Sequence, residues 1–210
     1  VGGRHFRRVQ AGGGDGTGLA ADVTCQADVD RMIAGVVDPY QRIDMLIQCV
    51  GRSERAAVLD TSVADFQQSL EANFLATVRC SRAAIPHLIQ SGGHLVHIGS
   101  LASRIALPYH GGYPASKFAL AAYTQQLRLF LRPQGVHVML VCPGPITPID
   151  DDRRPIERRG AIPEQALRPG GGAKIRAVDP FWLAERILTA CERRRAEIVI
   201  HRRARFLCAL

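Results

Sequence analysis

Apolar residues in this chain follow two rhythms. Continuous runs at residues 43–50, 94–99 and 136–142 fit strands buried on both faces, and residues 19–23 and 197–201 read as shorter strands. Between them, apolar positions recur every three or four residues over 27–40, 61–90, 115–131 and 179–193, the spacing of helices with one buried side. The punctuation agrees. Thr61 or Ser62 supplies a helix cap, Pro86 kinks or stops the second helix, Gly92 and Gly93 break the chain, Pro133 and Gly135 follow the third helix, and Asp179-Pro180 opens the fourth. Residues 148–178, rich in Pro, Gly and Arg, read as one long loop, and no segment repeats.

Strands that alternate with helices pair in parallel through crossover helices, so the pattern predicts an α/β domain around a parallel sheet. Such sheets bind ligands at the carboxyl ends of their strands. The residues just after positions 50, 99 and 142 are therefore where chemistry is expected.

Composition changes this picture little. A chain of 210 residues suits a single domain with a real core, and 47% hydrophobic and 22% charged residues are ordinary values for a globular protein. No run reaches the roughly 20 apolar residues of a membrane-spanning helix. The opening residues form no signal peptide and lack an initiator Met, which reads as a chain starting inside a longer product. None of the six cysteines forms a C-x-x-C pair, so no metal site is expected, and their apolar settings suggest buried thiols in a reducing, cytoplasmic compartment. The net charge of +8 comes mainly from arginines crowded into 153–176 and 193–205. These runs are first a solvated face. Binding to nucleic acid would need interleaved aromatic residues, which are absent, while peripheral contact with anionic lipid stays open.

The sharpest local signal is Tyr113-Pro114-Ala115-Ser116-Lys117. Residues four apart share a helix face, so Tyr113 and Lys117 point into one site. A free phenol titrates near pH 10, and an adjacent ammonium lowers that value, which yields an acid/base group for an alcohol or carbonyl. Ser100 ends a strand thirteen residues earlier, where its hydroxyl can meet a carbonyl oxygen or simply close a turn. Asn73 lies mid-helix, as a functional amide or as a satisfied buried one.

Asn73, Ser100, Tyr113 and Lys117 together match, in order and spacing, the catalytic tetrad of the short-chain dehydrogenase/reductase family, and the chain resembles that family from about residue 21 to 201. Asn73-Phe74-Leu75, Gly99-Ser100 and Cys142-Pro143-Gly144-Pro145 also look like family text. The resemblance implies a Rossmann-like fold with Tyr113 as acid/base and Ser100 orienting the carbonyl. It makes Lys117 the residue that holds the nicotinamide ribose and tunes Tyr113, and gives Asn73 a water linked to that lysine. Tyr109 and Tyr123 lack a lysine four residues on. The resemblance further assigns Asp22 and Val23 to the adenine, Gly51 to the cofactor wall, and Pro143, Gly144 and Ile146 to the loop over the nicotinamide. Thr147 stands one position before the family's usual threonine, where Pro148 sits. Of the family's Asn-Asn-Ala-Gly only the glycine remains in Gln48-Cys49-Val50-Gly51.

The family opens with a strand and a glycine-rich turn that holds the cofactor pyrophosphate at a helix N-terminus. Residues 12–18 imitate that turn, but no strand-like segment precedes them and no helix fits between Gly18 and Asp22. Residues 1–4 resemble the end of the second strand, with Arg4 where an arginine selects the 2′-phosphate of NADP. The expectation is one truncated domain over 1–210: a doubly wound Rossmann-like sheet lacking its first strand and most of its second, with 148–178 as a substrate lid. Two absent strands would leave a gap of roughly 10 Å, so the strand at 19–23 should be unpaired or shifted beside 43–50. Weak or undetectable cofactor binding by the chain would follow.

The leading expectation is thus an oxidoreductase acting on a carbonyl or alcohol with NADP, or alternatively NAD, as a homodimer or homotetramer. The alternative is a non-catalytic remnant that associates with other subunits.

Overall fold

The computed structural model of the chain describes residues 16–149, 157–159, 161–168 and 175–200. In chain order the elements are α1 (Gln26–Tyr40), β1 (Met45–Gln48), β2 (Glu54–Ala56), α2 (Val63–Leu70), a π-helical turn (Glu71–Leu75), α3 (Ala76–Ser91), β3 (His94–Ile98), α4 (Tyr113–Leu131), β4 (His137–Cys142), β5 (Glu157–Arg159), α5 (Glu164–Leu167), α6 (Pro180–Glu192) and β6 (Glu197–Val199). Four strands form a parallel sheet in the order β1-β3-β4-β6. β3 and β4 are central, with Leu95 opposite Val138 and Val96 opposite Met139.

The pleat sends alternate residues to opposite faces, and both faces are covered. Leu95 and Val138 pack with Val29, Ile33, Ala84, Leu88 and Leu131 from α1, α3 and α4. Val96, Met139 and Val141 pack on the other face against Leu183, Ile187 and Ala190 of α6. The runs at 94–99 and 136–142 are thus the buried centre of a doubly wound α/β domain. The run at 43–50, expected to be buried on both faces, instead forms a β1 that is only partly buried, with Ile47 and the following Val50 exposed.

Local chemistry sets the helix ends. Ser62 and Asp65 form a reciprocal capping box at the start of α2. Asp179 caps α6, accepting from the Trp182 backbone at 2.8 Å with Pro180 in the first turn. Pro86 does not stop α3. The helix runs on to Gly92, whose left-handed φ of 64° closes it.

Two expectations fail. Residues 19–23 form no strand. Asp22 instead accepts hydrogen bonds from the Thr24 backbone at 3.0 Å and its hydroxyl at 2.7 Å, while the Asp22 N–H donates to Asp28. These local bonds bend the chain into α1, and among the described residues no strand lies beside them to compete. The second failure is in 148–178. That stretch contains α5 and β5, and β5 pairs in parallel with β2 as a small second sheet. Its base is tied by Thr147 N–H to Val178 O at 2.9 Å and Val178 N–H to Pro145 O at 2.8 Å. Residues 1–4 and 12–14, with Arg4, lie outside the described residues.

Candidate active site

β1, β3 and β4 all run toward one rim of the sheet, so their carboxyl ends deliver residues 49–53, 98–101 and 143–146 to a common cleft. Gly51, Ser100, Tyr113, Lys117, Pro143, Gly144 and Ile146 line this cleft of about 260 Å³. A contiguous cavity of about 290 Å³ shares Ser100, Tyr113 and Gly144 and continues toward Arg55, His110 and Ile105.

Tyr113 is the first residue of α4, with Pro114 behind it. The backbone at that end is held by a remote carboxylate: Glu54 on β2 accepts from the Gly112 N–H and the Ser69 hydroxyl, both at 2.9 Å. Gly111 adopts a φ of 51° and passes so close that a Cβ there would lie 2.6 Å from Glu54 Oε1. One turn further on, Lys117 is buried and its ammonium donates to Ile98 O at 2.9 Å. Burial lowers its pKa to about 8, so it is still mostly charged at neutral pH.

The phenol behaves differently from the simple expectation. Burial pushes the Tyr113 pKa above its ordinary value, against hydrogen bonding with Ser100 and the charge of Arg55, which pull it down. Lys117 Nζ lies 5.7 Å from the ring centroid. With desolvation dominant, Tyr113 is held as a proton donor rather than poised as a phenolate.

Asn73 is fully buried in the π-helical turn, whose extra residue per turn swings its side chain off the regular helical track. Its amide accepts from Arg52 N–H at 2.8 Å and donates to Arg52 O at 3.0 Å and Ser116 Oγ at 3.1 Å. Ser116 in turn donates to Tyr113 O at 2.7 Å. Asn73 therefore clamps the loop after β1 to the helix that carries Tyr113. A Cβ at Gly51 would lie 2.7 Å from Asn73 Oδ1, so only glycine lets the two meet. Ser100, in extended conformation after β3, accepts from Ala102 N–H at 3.1 Å.

These residues fit the nicotinamide–ribose end of a dinucleotide. Lys117 spends one ammonium hydrogen on Ile98 O, leaving two for ribose hydroxyls. Gly51 and Gly144 line the wall without side chains in the way. Thr147, Asp22 and Val23 do not line the cleft; Val23 packs instead against the core beside α1. Tyr123 stacks on His97 with ring centroids 6.0 Å apart and does not line the cleft. Glu54, Arg55, His110 and Ser116 were not foreseen. Only Ser116 had a sequence signal, its place between Tyr113 and Lys117.

The profile of the family described as short chain dehydrogenase matches residues 5–155. Dehydrogenase/reductase SDR family member 7B from Danio rerio is 35% identical over 124 residues, covering 59% of this chain and 40% of that protein. The match thus spans less than half the length of that relative. A short-chain dehydrogenase from Streptomyces avermitilis superposes with a TM-score of 0.83 at 22% identity, covering 97% of this chain and 77% of that one. A second one, from Burkholderia cenocepacia J2315 and solved in complex with NADP, gives 0.72 at 24% identity, covering 91% and 74%.

Proposed function

The chain belongs to the short-chain dehydrogenase family, and from that premise we propose that it is the catalytic part of an oxidoreductase that interconverts a carbonyl and an alcohol with NADP, or alternatively NAD. One observation carries the reading. The Tyr113 and Ser100 hydroxyls share a single cleft with the Lys117 ammonium at the carboxyl ends of the strands.

A bound reduced nicotinamide supplies the hydride. The Ser100 hydroxyl orients the carbonyl oxygen, and Tyr113 Oη gives its proton to that oxygen as negative charge develops there. Desolvation keeps the proton on Tyr113 until it is needed. Lys117 would hold the ribose of a bound nicotinamide and, by its charge, stabilise the phenolate left behind. Asn73 and Glu54 fix the two backbone segments between which the substrate lies.

The reading extends to a dimer through the two long helical segments that carry Asn73 and Tyr113, supported by the exposed apolar side chains of Leu75 in the π-helical turn and of Phe118, Leu129 and Phe130 on α4. It also extends to a reducing cytoplasm, supported by the buried free thiols Cys80, Cys142 and Cys191. A second reading, a non-catalytic relative acting through association, is favoured by Gln48, whose buried Nε2 has no hydrogen-bond partner among the described residues where the family has asparagine.

Turnover of carbonyl substrates with NADPH and NADH separates the two. Tyr113→Phe should lower the rate by about 10²-fold or more, with unfolding free energy changed by less than about 1 kcal/mol. Tyr109→Phe should leave the rate intact. Equal turnover in Tyr113→Phe would overturn the assignment.

A further inference from the structure

The floor of the larger cavity holds a charge that the hydride-transfer reading does not use. Arg55 on β2 is 5% exposed and lines the cavity together with Tyr113 and Ser100. Its Nε donates to Ala166 O at 3.1 Å and its Nη1 to Glu54 O at 3.0 Å. Both acceptors are neutral carbonyls. Three of the five guanidinium N–H groups, including both on Nη2, have no acceptor among the described residues, and no carboxylate there pairs with the charge. The neighbouring Glu54 carboxylate is engaged elsewhere, with Ser69 and Gly112.

A buried cation without a counter-ion is costly unless something else pays its desolvation. A second orphan shares this cavity: His110, 7% exposed, also lines it, and its Nδ1 is buried without a hydrogen-bond partner among the described residues. Burial, and then the charge of Arg55, lower the His110 pKa to about 4, so the ring is neutral at pH 7 and can donate one N–H without adding a second positive charge. Apart from the hydroxyls of Ser53, Ser100 and Tyr113, the rest of the lining is apolar and includes Ile105 and Leu107.

We propose that Arg55 and His110 form a carboxylate-binding subsite, so that the substrate is a carbonyl or alcohol compound bearing a carboxylate on a compact apolar body. The planar guanidinium matches a carboxylate through two parallel N–H···O bonds, and His110 Nδ1 offers a third. With the anion held at that end, Ser100 and Tyr113 meet the reacting carbonyl at the other. Arg55 also pulls the Tyr113 phenol toward its ionised form. An incoming carboxylate neutralises that pull and keeps the proton on Tyr113 for donation. The inference rests on the reading of Tyr113 and Ser100 as the reacting end.

Binding measured without cofactor or turnover tests it apart from that reading. Isothermal titration of the full chain with benzoate and with its neutral isostere benzamide should show benzoate bound about tenfold tighter or more. Arg55→Met should abolish the preference, Arg55→Lys should keep part of it, and His110→Ala should reduce it. Should Arg55→Met fail to fold, the wild-type comparison and the Arg55→Lys and His110→Ala variants still decide. Equal affinity for the two probes, no benzoate binding, or a preference that survives the loss of the guanidinium each overturns the subsite. Loss of turnover in Tyr113→Phe with the benzoate preference intact is the expected separation of the two roles.

Discussion

Single residues here are set by what surrounds them more than by their intrinsic chemistry. His97 is fully buried between Ser81 and Thr124, with ring nitrogens 3.0 and 2.8 Å from the two hydroxyls. Burial, helped by the charge of Lys117, lowers its pKa to about 3. In the unfolded chain the ring takes a proton near pH 6.5, so between 6.5 and about 3 the unfolded state binds more protons. The stability contribution of the neutral ring is therefore full above pH 6.5 and falls as pH drops, by up to about 1.4 kcal/mol per unit. Proton NMR should find His97 still neutral at pH 5, and a midpoint near 6 would contradict the burial argument. Gly51 is set by space. Gly51→Ala places a methyl 2.7 Å from Asn73 Oδ1, and denaturant unfolding should show a loss of about 1–3 kcal/mol, together with lower turnover because the clamp on Arg52 opens.

At the scale of elements, the catalytic helix is positioned by a strand far away in sequence. Glu54 ties β2 to the start of α4 through Gly112 and to α2 through Ser69. Glu54→Ala leaves the Gly112 N–H buried without an acceptor, at a cost of about 1–3 kcal/mol. Glu54→Gln keeps an acceptor oxygen and should recover most of it. The expected kinetic signature is a fall in kcat larger in Glu54→Ala than in Glu54→Gln, because Tyr113 sits on the next residue. If both variants behave alike in unfolding and in kcat, the carboxylate does not position the helix.

For the molecule as a whole, the groups that fit a dinucleotide gather at one end of the cleft. Lys117, Tyr113, Gly51 and Gly144 meet there, while Asp22 and Val23 lie away from it, and β1 is the outermost strand of the sheet among the described residues. Pyrophosphate binding in such folds relies on backbone N–H groups at a helix N-terminus. Titration of the 210-residue chain is therefore expected to show NADPH and NADH binding less than about tenfold tighter than nicotinamide mononucleotide, a gain under 1.4 kcal/mol. A gain of a thousandfold would place a phosphate cradle within residues 1–15. Lys117→Ala should weaken the mononucleotide and both dinucleotides alike.

The sequence by itself determined the strands β1, β3, β4 and β6 with the long helices between them, and singled out Asn73, Ser100, Tyr113 and Lys117 as the candidate site. Those features are written in contiguous residues: apolar runs for buried parallel strands, a four-residue spacing for one helix face, Ser62 with Asp65 for a cap. The tertiary structure alone decided the rest. Glu54-Arg55-Ala56 has the composition of an exposed loop, yet all three residues are buried as β2, paired with β5. Arg55 bonds a carbonyl 111 residues away and Glu54 an amide 58 residues away. No local spacing encodes contacts of that range, because they form only after the sheet has brought its carboxyl ends together. Residues 19–23 show the converse. Their apolar pattern suited a strand, but a strand needs a partner to share its hydrogen bonds, and among the described residues the Asp22 N–H donates instead to Asp28 while its carboxylate accepts from Thr24.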